Sequence, residues 1–147
     1  MISELSLDHQ SKNYLVISSD IESRYETVIT KVSDYLDKSV EKILEDPDVM
    51  YVSLPVIDKS GNISSTLSNS ELQMREYGLL DKLDAKRIGN EITIDQIREV
   101  ISFTQISAHK NKKIVILNSA SNMNKEASSA LLKTLEEVSS NCTFILL

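Results

Sequence analysis

Residues 112–137, KKIVILNSASNMNKEASSALLKTLEE, and the ten that follow, VSSNCTFILL, decide the fold. The run Ile114, Val115, Ile116, Leu117 is short, apolar and not alternating, which predicts a strand buried on both faces. Asn122 or Asn124 can cap a following helix. Its apolar residues Ala127, Leu131, Leu135 and Val138 recur at three- and four-residue spacing, one face of an amphipathic helix. Ser139-Ser140-Asn141 breaks it, and residues 143–147 (TFILL) predict another buried strand. Strand, helix, strand in this order is a right-handed crossover between parallel strands.

Working upstream, Thr93 with Gln96 three residues on makes a capping box, so a helix should start there. Ile94, Ile97, Val100, Ile101 and Phe103 give its buried face, and HKNKK at 109–113 a polar, basic connection. Residues 56–92 carry little signal: Gly61-Asn62 marks a turn, and 71–83 read as a short helix or none. Earlier still, 14–18 (YLVIS) and 49–54 (VMYVSL) predict strands. Between them, Tyr25, Val28, Ile29, Val32, Tyr35, Leu36, Val40, Ile43 and Leu44 predict one long amphipathic helix ended by Pro47. The expected class is therefore α/β, a three-layer domain on a mostly parallel sheet.

Composition bounds the function. At 147 residues the chain fits one domain with a real core, and 41% apolar with 26% charged residues is an ordinary globular balance. No apolar run is long enough to span a bilayer, and residues 1–6 show no secretory signal, so a cytoplasmic location without membrane contact is expected. A net charge of −6 argues against tight DNA binding by this domain alone. Cys142 stands alone, read as a small buried hydrophobe, and with two histidines there is no metal-ligand cluster.

Ala130-Leu131-Leu132-Lys133-Thr134-Leu135-Glu136-Glu137 resembles, at every position, a helix of bacterial DNA polymerase III clamp-loader ATPases and their delta prime relatives, of the AAA+ superfamily. Ile92-Thr93-Ile94-Asp95-Gln96-Ile97-Arg98 resembles that family's I-x-[IV]-[DE]-x-I-R segment, and Pro47-Asp48 its H-P-D stretch. The resemblance is strong over 92–147 and topological before that. It implies a P-loop-type, AAA+-like domain over 1–147, cut off before the lid and collar domains. It also implies work in DNA replication, within a complex that is a DNA-directed DNA polymerase, beside delta and gamma/tau type subunits and touching primed DNA only indirectly. Lys133, Thr134, Glu136 and Glu137 are expected on the side of their helix away from the core; with Arg98 they would form a subunit interface.

The departures speak to mechanism. Where an active member has a glycine-rich loop ending in lysine, this chain reads Ser18-Ser19-Asp20-Ile21-Glu22-Ser23-Arg24, without a glycine. Asp20 and Glu22 would repel phosphates, and Arg24 is a poor substitute for a cradle of backbone N–H groups. Where the family's acidic pair holds Mg²⁺, the residues are Asn118 and Ser119, neither charged. The expectation is a degenerate nucleotide site: no catalysis, no bound cofactor, and no zinc, since no cysteine lies between the first helix and second strand. The rival readings are an active AAA+ ATPase and a free-standing AAA+-like interaction domain outside replication.

Overall fold

The computed structural model describes residues 13–17, 21–60, 62–65, 87–110, 112–137 and 141–147. In chain order its elements are β1 (Tyr14–Leu15), α1 (Ile21–Leu36), a 3-10 turn (Val40–Glu45), β2 (Val49–Val52), β3 (Val56–Ile57), β4 (Ile63–Ser65), β5 (Arg87–Ile88), α2 (Ile94–Gln105), β6 (Lys113–Leu117), a second 3-10 turn (Ala120–Asn122), α3 (Lys125–Glu137) and β7 (Cys142–Leu146). Four strands form a parallel sheet in the order β1-β7-β6-β2. The path from β1 to β2 crosses the whole sheet, and the next two connections step back. Right-handed crossovers running in opposite directions put their helices on opposite faces.

Burial follows the two-residue period of the strands. Ile114, Ile116, Ile145 and Leu147 pack with Tyr25, Val28, Ile29 and Val32 of α1 and with Ile43. The intervening Val115, Leu117, Cys142 and Phe144 pack with Ile97 and Val100 of α2 and with Ala127 and Leu131 of α3. The expected three-layer α/β domain on a parallel sheet is the one observed.

Helix ends match local chemistry. Thr93 Oγ1 accepts from Gln96 N at 3.5 Å while Gln96 Oε1 accepts from Thr93 N at 3.0 Å, the expected capping box. Asn124, not Asn122, caps α3: its Oδ1 accepts from Ala127 N at 2.8 Å. The long helix expected up to Pro47 is wrong, because α1 stops at Leu36. Asp37 is left-handed (φ 52°), Lys38 N donates to Ser33 O at 3.2 Å and Asp37 N to Asp34 O at 3.4 Å. This is a Schellman stop with aspartate in glycine's place. The 3-10 turn that follows still buries Ile43, so the apolar spacing runs on across a break it cannot reveal.

Within 56–92 the described residues form a small antiparallel sheet, β4-β3-β5. Asp58 organises the turn beside the expected Gly61-Asn62: its Oδ1 accepts from Ser60 N and Asn62 N at 2.8 and 3.0 Å. Residues 71–83 lie outside the described residues, as does Val138.

Candidate functional site

In parallel α/β sheets, ligands settle at the carboxyl ends of strands where neighbouring connections leave for opposite faces. Here β1 leads into α1 on one face and β6 leads towards α3 on the other, with β7 between them. At this position lies the end of β6, Asn118-Ser119, tied down by Asn118 N to Val52 O at 2.8 Å and Ala120 N to Leu147 O at 2.9 Å.

Asn118 is buried, at 5% exposure. Its Oδ1 accepts from Ser119 N at 2.8 Å and its Nδ2 donates to Tyr51 Oη at 2.9 Å. Tyr51 in turn meets Tyr25 of α1 edge to face, ring centroids 5.9 Å apart and planes at 90°. Ser119 has φ 64° and ψ 40°, an unusual conformation for a residue with a side chain. The Asn118 oxygen holds its N–H, and its carbonyl accepts from Asn122 N at 2.8 Å. A neutral amide offers a cation no charge and only one acceptor oxygen where a carboxylate has two, and here that oxygen already accepts from Ser119 N.

Of the five positions singled out from sequence, Asn118 and Ser119 stand together at this end of β6. Arg24 is half-buried beside Tyr25 in α1, and its buried Nε has no hydrogen-bond partner among the described residues. Glu22 lies in the first turn of α1 and Asp20 outside the described residues. Sequence reasoning missed Tyr25 and Tyr51. The available signal was a tyrosine inside a buried strand, whose hydroxyl needs a partner.

The second group divides. Arg98 is exposed and pairs with Asp95 three residues earlier at 2.8 Å. Lys133, Glu136 and Glu137 are exposed on α3. Thr134 is not on that surface: it is 8% exposed and its Oγ1 donates to Ala130 O at 2.8 Å. Positions 127, 131 and 134 are four and three apart, so Thr134 continues the core stripe, and Leu132, 60% exposed, takes the outward position.

The opposite, amino-terminal end of the sheet carries a buried polar knot at the Pro47-Asp48 stretch. Asp48, 2% exposed, accepts from His109 N at 2.7 Å and Lys110 N at 3.0 Å. Asp46 accepts from Asp48 N at 2.8 Å and from the Lys38 ammonium. Burial pushes the Asp46 carboxyl up, but the Lys38 and Asp48 hydrogen bonds and the Lys38 and Lys110 charges outweigh it and hold it below its usual 3.8. Cys142, beneath α2 and α3, is buried as expected, and burial raises its thiol to about 11. No helix among the described residues is long and apolar enough to cross a membrane.

Residues 58–147 match the family model described as DNA polymerase III, delta subunit. The DNA polymerase III subunit delta' of Pseudomonas aeruginosa is 34% identical over 73 residues, covering 49% of this chain and 21% of that protein. Among solved structures, a DNA polymerase III gamma subunit-related protein from Thermotoga maritima matches with a TM-score of 0.59 at 20% identity, covering 93% of this chain and 34% of that one. The chain thus spans well under two thirds of the length of either relative.

Proposed function

Because the chain belongs to the DNA polymerase III, delta subunit family, we propose that it is the AAA+-like module of a delta prime type clamp-loader subunit, one that neither binds nor hydrolyses ATP. The observation that carries the second half is Asn118. At the end of β6 it is uncharged and buried, with its amide spent on Tyr51 and Ser119. The glycine-free stretch 18–24 supports the same reading, since it lacks the glycines that let backbone N–H groups wrap phosphates.

Such a module completes a ring of subunits that loads the sliding clamp on primed DNA. Its neighbours are subunits of the delta and gamma/tau type, met through the exposed Arg98, Lys133, Glu136 and Glu137, and its setting is the cytoplasm. With a net charge of −6 it leaves most phosphate contacts to those neighbours. The test is calorimetric titration with ATP and Mg²⁺, expected to give no heat of binding. A micromolar dissociation constant would sink the proposal.

A further inference from the structure

A line of side chains joins α1 to the carboxyl ends of β2 and β6. Tyr25, in the second turn of α1, is 1% exposed. Its ring meets that of Tyr51 on β2 edge to face, and Tyr51 Oη accepts from Asn118 Nδ2 at the end of β6. Asn118 Oδ1 then holds Ser119 in its left-handed conformation. The contacts join three elements far apart in sequence at the carboxyl ends of β2 and β6. Tyr51 thus holds α1 through its ring and the end of β6 through its hydroxyl, and a phenylalanine at 51 would keep the first contact but leave the buried Asn118 amide without this acceptor.

We propose that Tyr25, Tyr51 and Asn118 form a standing clamp that holds the first half of α1 to the carboxyl ends of β2 and β6 with no ligand bound. It rests on the nucleotide-free reading above and deepens it: the task of fixing α1 over the sheet falls to side chains. Tyr25 also lies in the apolar core with Val28, Ile29 and Val32, which hold the later turns of α1, so the clamp adds to the core at the second turn alone.

Hydrogen exchange of the full-length protein, without nucleotide, tests this. Tyr51→Phe is expected to speed exchange about three- to tenfold at the amides of residues 118–119, the effect of losing one net hydrogen bond, while Tyr51→Leu, which also removes the ring contact, adds a rise at residues 25–27. Amides of Val100 and Leu131, on the other face, keep their rates. Asn118→Ala gives a larger rise at 118–119 than Tyr51→Phe, because it also removes the bond from Ser119 N, and combining it with Tyr51→Phe adds little, because the bond between residues 51 and 118 is common to both. Unchanged rates at 25–27 in Tyr51→Leu, an equal rise across the whole protein, or fully additive effects of Tyr51→Phe and Asn118→Ala would each overturn the clamp. An ATP titration of the same samples reports separately on the nucleotide-free reading, since the exchange pattern is measured without ligand.

Discussion

Asp48 is expected to be worth far more to this domain than a carboxylate at a strand entrance usually is. Its side chain is 2% exposed, and its two oxygens accept from the N–H groups of His109 and Lys110, at 2.7 and 3.0 Å. These N–H groups belong to the connection that feeds β6, while the Asp48 carbonyl accepts from Ile114 N at 2.8 Å. One residue thus sets the start of β2 against the start of β6. Hydrogen bonds to a charged group contribute roughly 1.5–3 kcal/mol each. His109 and Lys110 are exposed, so their N–H groups can regain water once the carboxylate is gone, and the lower end applies. Asp48→Ala should therefore cost about 2–4 kcal/mol, and lower Tm by roughly 5–15 °C for a domain of this size. Asp48→Asn keeps one acceptor and should fall between the two. Urea unfolding of the 147-residue chain, followed by circular dichroism, measures this as a lower midpoint at unchanged m. A loss under about 1 kcal/mol for Asp48→Ala would refute the reasoning and return the residue to the role of an ordinary turn former.

On α3, Leu131→Ala should cost roughly 2–5 kcal/mol through a cavity beneath the sheet, whereas Lys133→Ala and Glu136→Ala should stay within about ±0.5 kcal/mol. In the full-length protein the latter two should still weaken pull-down of clamp-loader partners; normal assembly would mark that face as merely solvated. Asp46 gives a pH signature. Its carboxyl is held below 3.8 in the folded state, so its stabilising contribution is present above that value and is lost as pH falls through the folded pKa. Asp46→Asn should flatten the stability curve below about pH 4 relative to wild type, and parallel curves for the two proteins would contradict the assignment.

What the sequence alone determined were the elements whose causes lie within a few residues. The strands at 114–117 and 143–147, the helix between them and the Thr93–Gln96 capping box are written in spacing and cap chemistry, which act over one turn. The loss of charge at 118 and 119 was equally plain, being a matter of residue identity. Tertiary structure decided what depends on partners far away. Tyr51 reaches Asn118 across 67 positions and Asp48 reaches His109 across 61, distances over which no periodicity carries information. The break at Asp37 was hidden because a helix and a 3-10 turn can feed the same core with the same apolar spacing, and an aspartate stood where glycine would have announced the stop. Thr134 departs from its expected outer place for a related reason. Residue type suggests which side chain is polar, but the direction of each is set by the helix's rotation against the sheet, which Ala127 and Leu131 lock by packing beneath it.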